Sequence, residues 1–87
     1  MERVEKEIIV RNPQGLHARP AALFVQIASE YDVSVAIEKD GKVVDGKSII
    51  AILSLGINKG ARIKLTVEGK EASLAFHQLR RFLEKND

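Results

Sequence analysis

The segment Asn12-Pro13-Gln14-Gly15-Leu16-His17-Ala18-Arg19-Pro20-Ala21-Ala22 marks the change from a strand to a helix. An alternating pattern over residues 4–10 predicts the strand, and the turn-forming residues 12–15 must end it. Pro20 fits the first turn of a helix, where backbone N–H groups lack partners, but not a helix interior. We therefore predict a helix that begins at about His17.

Periodic patterns predict the remaining elements. In chain order they are a strand at 33–38, a hairpin turn at Asp40-Gly41, a strand at 42–45, a short helix at 48–55, a strand at 62–67 and a helix at 72–83. The last helix has the clearest apolar stripe, formed by Ala72, Ala75, Phe76, Leu79, Phe82 and Leu83. The order β-α-β-β-α-β-α predicts an α+β open-faced β-sandwich, with a four-stranded antiparallel sheet and three helices on one face. We expect residues 1–87 to form one domain.

Composition narrows the class of protein. The 87 residues are 45% apolar, carry a formal charge of +2 and contain no cysteine, which excludes disulfides and thiolate zinc sites. Nucleic-acid binding is not expected, because basic clusters and stacking aromatic residues are lacking. No apolar run approaches the ~20 residues of a membrane span, and the charged start has no signal-peptide pattern. We expect a cytoplasmic protein without a metal or cofactor.

His17 is placed where an anion would be stabilised. Free N–H groups and the positive end of the helix dipole face this position. A neutral imidazole has a ring nitrogen that can attack phosphorus, and Arg19 could donate to the phosphoryl oxygens. The plain alternative is a surface or capping histidine, which is common at helix starts.

The second short helix carries two further features. Gly41–Ser48 matches the pattern G-x-x-x-x-G-K-[ST], but its middle residues predict a hairpin strand, so we reject a nucleotide site there. Ser48 is a suitable N-cap for this helix. Ile52 and Leu55 are expected to face the sheet, with Ile49 as a third candidate for that side. That arrangement leaves Ile50 and Leu53 exposed as a candidate partner surface.

Two segments resemble the signatures of one family. Gly15-Leu16-His17-Ala18-Arg19-Pro20-Ala21 is similar to the active-site signature of HPr, the histidine-containing phosphocarrier family of the bacterial sugar phosphotransferase system. Lys47-Ser48-Ile49-Ile50, followed by Leu55-Gly56-Ile57 and Gly60, resembles the second signature of that family, which surrounds a regulatory serine. The resemblance covers essentially the whole chain, and the predicted order of elements is that of the HPr fold.

The resemblance implies a relay rather than an enzyme with turnover of its own. Phospho-enzyme I would phosphorylate His17 on Nδ1, Arg19 would contact the phosphate, and enzyme IIA units would accept the group. Ser48 would be modified by HPr kinase/phosphorylase, with a catabolite-control transcription factor as a possible partner. The docking surface of this expected monomer would consist of Ala22, Leu23, Ile49, Ile50 and Leu53.

Two other functions stay open at this stage. One is a regulatory interaction module that acts through phosphorylated Ser48; Crh-like relatives lack the active histidine, so His17 favours the carrier. The other is the nitrogen-branch carrier NPr, which the run Ile50-Ala51-Ile52-Leu53 resembles. Lys47 and Leu55-Gly56-Ile57 look more like the sugar branch, which we favour.

Overall fold

The computed structural model of the protein describes residues 2–85 and contains the seven predicted elements in the predicted order. They are β1 (Glu2–Ile9), α1 (Ala18–Ala28), β2 (Val33–Lys39), β3 (Lys42–Asp45), α2 (Ile49–Leu53), β4 (Arg62–Gly69) and α3 (Ala72–Glu84). The strands form one antiparallel sheet in the order β1-β4-β2-β3, and the helices cover one face of it. This arrangement confirms the predicted α+β open-faced sandwich.

The core lies between the sheet and the helices. Alternate side chains of the two central strands are almost fully buried, as their spacing predicts: Val35, Ile37, Ile63, Leu65 and Val67. Each such side chain contributes about 1.5–3 kcal/mol when it leaves water. Five members of the predicted α3 stripe are buried with them, and the sixth, Phe82, is half-buried. Phe82 is less covered because it lines a surface hollow beside Arg19 and Lys85.

Several element boundaries differ from the predictions by one or two residues: β2 ends at Lys39 rather than 38, β4 at Gly69 rather than 67 and α3 at Glu84 rather than 83. β1 occupies Glu2–Ile9 rather than 4–10, because its ladder with β4 runs from the Glu2–Gly69 pair to the Ile9–Arg62 pair. The predicted helix at 48–55 is too long, since α2 ends at Leu53. The N–H of Leu55 donates to the Ile52 carbonyl oxygen at 3.0 Å, three residues back, so the chain tightens and leaves the α-helical path.

The segment that matches a phosphate-binding loop is a strand, as predicted. Lys42–Asp45 pairs with β2, and the N–H of Gly46 donates to the Val35 carbonyl oxygen at 2.7 Å. The amine of Lys47 donates to the Tyr31 carbonyl oxygen at 3.2 Å. A strand whose backbone groups join the sheet does not form the concave N–H cradle of a nucleotide loop.

Candidate functional site

Helix α1 begins at Ala18, with His17 as its N-cap in an extended conformation. The first helical hydrogen bond runs from the N–H of Ala21 to the His17 carbonyl oxygen at 2.8 Å. Pro20 is buried in the first turn, at a position where an N–H would have no helical acceptor. The prediction that Pro20 sets the start of the helix is confirmed.

The loop before His17 docks against the loop that follows α2. Gly15 has φ +60, and a Cβ there would lie 2.9 Å from Asn58 Cα while overlapping the Ile57 carbonyl oxygen. The next residue, Leu16, is buried, and its N–H donates to that same oxygen at 3.0 Å. Glycine is therefore needed at 15 both for its conformation and for the close approach of the two loops.

The docked loops bring Asn58 to the imidazole of His17. Asn58 Oδ1 lies 2.6 Å from His17 Nε2, although the two residues are 41 positions apart in the sequence. Both side chains belong to exposed residues. Sequence reasoning missed Asn58. The one available signal was the run Leu55-Gly56-Ile57, whose glycine indicates a turn but does not show where that turn docks.

The environment of the His17 ring suits an anion. Helix α1 has no acidic residue in its first turn and the His17 side chain does not cap it, so the N–H groups of Ala18 and Arg19 are not used by that side chain. Both N–H groups precede the first helical hydrogen bond, at the positive end of the helix dipole. A negatively charged group at this position would be stabilised by these N–H groups and by the helix dipole, without a metal ion.

Arg19 lies one residue inside the helix, and its side chain lines a hollow of about 420 Å³. The hollow is bordered by the turn at Asn12, Pro13 and Gln14 and by the end of α3, including Lys85. The structure thus places Arg19 beside the His17 loop. Its predicted contact with a phosphoryl group stays a prediction.

Ser48 is the N-cap of α2, as predicted. Its Oγ accepts a hydrogen bond from the N–H of Ala51 at 3.2 Å, and the residue is half-buried. The hydroxyl stands at the N-terminal end of a short helix, where added negative charge is tolerated.

Helix α2 exposes most of its apolar surface. Ile50 is 80% exposed and Leu53 39%, which confirms the expectation for this pair, while Ile52 is fully buried. Ile49 is 40% exposed, so the suggestion that it joins the core is wrong. Ile52 is the buried residue of this five-residue helix, and Ile49 stands at its first position, directly after the Ser48 cap. Ala22 and Leu23 are exposed on α1, the helix against which α2 packs.

Comparison with known proteins identifies the family. Residues 4–85 match the family described as "PTS HPr component phosphorylation site". The chain belongs to the HPr family. Its structure resembles the phosphocarrier protein HPr from Bacillus anthracis with a TM-score of 0.91 and 44% identity, covering 95% of this chain and 99% of that one.

Relatives with two different names are similar to the chain along most of its length. The HPr-like protein Crh of Halalkalibacterium halodurans is 48% identical over 82 residues, which cover 94% of this chain and 98% of the relative. The phosphocarrier protein HPr of Borreliella burgdorferi is 38% identical over 81 residues, with coverage of 93% and 94%. The family is therefore shown, and both HPr and the HPr-like Crh are close in sequence.

Within residues 2–85, no group of three or more His, Asp or Glu side chains converges in the way a metal ion requires. No helix in the described part of the chain is long and apolar enough to cross a membrane.

Proposed function

We propose that this HPr-family protein is a phosphocarrier of the sugar phosphotransferase system, with His17 Nδ1 as the phosphoryl acceptor. The observation that carries the proposal is an exposed imidazole at the N-cap of α1, whose Nε2 atom is within hydrogen-bond distance of Asn58 Oδ1. The other ring nitrogen, Nδ1, is the nucleophile. The match to the HPr family across residues 4–85 supplies the kind of reaction.

The transfer needs little from the carrier besides position and charge. The Nδ1 lone pair forms the new N–P bond as the bond between phosphorus and phospho-enzyme I breaks, and the leaving pair stays with enzyme I. The oxygens of the phosphoryl group then lie near the free N–H groups of the first turn, where Arg19 adds a planar cation. In the second transfer an acceptor group of enzyme IIA forms a new bond to phosphorus as the N–P bond on His17 breaks, and the electron pair returns to Nδ1. The protein acts in the cytoplasm as a one-domain monomer.

Docking of both partners uses the exposed apolar side chains of the neighbouring helices α1 and α2: Ala22, Leu23, Ile49, Ile50 and Leu53. Ser48 lies at the edge of this surface. A phosphate on Ser48 keeps the α2 cap but places a dianion where apolar partner groups must approach. Modification by HPr kinase/phosphorylase therefore weakens docking of enzyme I.

A regulatory module is the second candidate. It is supported by the sequence similarity to the HPr-like protein Crh and by the position of Ser48 at the start of α2, next to the exposed Ile49 and Ile50. In that role the protein, phosphorylated on Ser48, binds a catabolite-control transcription factor. The presence of His17 favours the carrier, and the two roles are compatible. The nitrogen-branch alternative shares the His17 chemistry and differs in its partners.

The test is incubation with enzyme I and phosphoenolpyruvate. We expect an acid-labile, base-stable adduct of about 80 Da, the mass of one phosphoryl group. It should be absent in His17→Ala and present in His77→Ala, which removes an exposed histidine on α3. An unmodified wild-type protein would contradict the carrier function.

Ser48 has a parallel test with ATP and HPr kinase/phosphorylase. We expect an acid-stable adduct that is lost in Ser48→Ala and kept in Ser54→Ala. Ser54 is the matched control because it caps the other end of the same helix. Modification of Ser48→Ala to the wild-type extent would contradict the regulatory assignment.

A further inference from the structure

The contact between His17 and Asn58 determines which ring nitrogen carries the proton. Asn58 Oδ1 has lone pairs and no hydrogen, so it can only accept. The 2.6 Å approach is therefore a hydrogen bond when Nε2–H donates to Oδ1. A neutral imidazole has one N–H, so Nδ1 then keeps its lone pair and can act as a nucleophile.

The same hydrogen bond becomes stronger once the phosphoryl group arrives. Attack by Nδ1 uses its lone pair for the N–P bond, while the proton on Nε2 stays in place. The ring therefore gains positive charge, and Nε2–H becomes a charged donor. Charge-assisted hydrogen bonds are roughly twice as strong as neutral ones. Asn58 thus stabilises the phosphorylated ring more than the free ring, which is the kind of difference that shifts a transfer equilibrium.

We propose that Asn58 is a positioning residue that selects Nδ1 as the acceptor and raises the stability of the phosphohistidine. This inference rests on the proposed phosphocarrier function. The assignment depends on the geometry of one side-chain pair. Asn58 lies between Ile57 and Gly60 of the second signature but is not itself one of the signature residues.

The backbone around Asn58 is held firmly enough for this role. The N–H of Ala61 donates to the Asn58 carbonyl oxygen at 3.0 Å, which closes a turn over residues 58–61. The N–H of Gly60 donates to the Val10 carbonyl oxygen at 2.6 Å, and the N–H of Val10 donates to the Ala61 carbonyl oxygen at 2.9 Å. The turn is thus fixed to the end of β1. Because the loop is already ordered, the contact between the Asn58 amide and the imidazole forms without the entropic cost of ordering that loop.

The first readout is the tautomer of the unphosphorylated protein, measured by ¹⁵N NMR of the ring nitrogens at alkaline pH. We expect proton occupancy on Nε2 of His17 in the wild type, and an increased Nδ1–H population in Asn58→Leu, which keeps the volume but removes the acceptor. Asn58→Asp keeps an acceptor oxygen and should restore the Nε2–H form. A wild-type ring protonated at Nδ1 would overturn the proposal, because the amide would then be turned with its NH₂ group toward Nε2.

The second readout is the equilibrium of phosphoryl exchange with enzyme I. We expect Asn58→Leu to shift it about fivefold toward unphosphorylated carrier, because the variant loses a charge-assisted hydrogen bond from the phosphorylated ring but only a neutral one, about half as strong, from the free ring. An unchanged equilibrium, with the variant folded as judged by its circular dichroism, would overturn the stabilising role. Failure of the wild type to accept any phosphoryl group would instead refute the proposed function. The tautomer measurement needs no phosphorylation and decides the Asn58 contact separately.

Discussion

Replacement of Gly15 by alanine tests whether the close approach of two loops builds the His17 site. Gly15 and Gly56 have the same φ of +60, so an alanine at either position meets the same backbone penalty. Their surroundings differ. A Cβ at Gly56 has nothing within 4 Å, whereas one at Gly15 overlaps Ile57 and lies 2.9 Å from Asn58 Cα. Gly56→Ala therefore measures the backbone penalty without the steric clash, and the difference between the two variants measures the clash.

The expected free energies follow from these contacts. Alanine in the left-handed region costs about 1–2 kcal/mol, partly offset by about 0.4–1 kcal/mol from the stiffer unfolded chain. We therefore expect Gly56→Ala to lower the free energy of unfolding by about 1 kcal/mol. Gly15→Ala must also separate the loops and lose the 3.0 Å bond from Leu16 N–H to the Ile57 oxygen. Leaving that buried donor unpaired adds about 1–3 kcal/mol.

Urea denaturation followed by circular dichroism measures the difference. We expect Gly15→Ala to be about 2 kcal/mol less stable than Gly56→Ala, at an unchanged dependence on denaturant. In a domain of this size that difference lowers the melting temperature by about 8–16 °C. The separation also moves Asn58 from His17, so the Gly15→Ala carrier should accept phosphate from enzyme I more slowly. Equal stability losses in the two variants, or an unaffected transfer rate in Gly15→Ala, would refute the reasoning.

Three other substitutions test the docking surface, the cap and the core. Ile50→Asp should slow phosphoryl transfer from enzyme I at least about tenfold, because it buries a charge at the interface. Leu74→Asp, at an exposed apolar position on α3, should leave the transfer rate unchanged. Equal slowing of both variants would argue against a docking surface on α2. Ser48→Ala should lower the free energy of unfolding by about 1 kcal/mol, seen as a lower urea midpoint, because it loses the hydrogen bond from the N–H of Ala51. Ser48→Asp should keep the cap and the midpoint. An unchanged midpoint in Ser48→Ala would show that the cap contributes nothing to stability. Ile52→Ala should lower the free energy of unfolding by about 2–5 kcal/mol in the same assay, because Ile52 is fully buried. Ile50→Ala should lower it by less than about 0.5 kcal/mol, because Ile50 is exposed. Similar losses in the two variants would contradict the assigned faces of α2.

Local rules predicted the elements because each was marked by its own residues. Pro20 set the start of α1, and Ser48 was recognisable as the cap of α2 from its residue type. The α3 stripe followed from helical periodicity, with only Phe82 less buried than its spacing suggests. These features depend on a few neighbouring residues, and that information is present in the sequence.

The errors and omissions came from tertiary contacts. The end of α2 depends on how residues 54–58 turn to reach the loop before His17, which propensity does not encode. Ile49 is exposed because the short helix meets the core through Ile52 alone. Asn58 reaches His17 through a loop that docks far along the chain, so no spacing rule could pair them. The role of Arg19 depends on a phosphoryl group and stays a prediction.

The central claim is that Nδ1 of His17 carries the phosphoryl group. The most direct measurement is ¹⁵N NMR of protein labelled at both histidines, His17 and His77, after reaction with enzyme I and phosphoenolpyruvate. We expect phosphorus coupling and a large shift at Nδ1 of His17, with His77 unchanged and Nε2 of His17 still protonated. Coupling at Nε2 of His17, coupling at His77, or no phosphorylated histidine at all would contradict it.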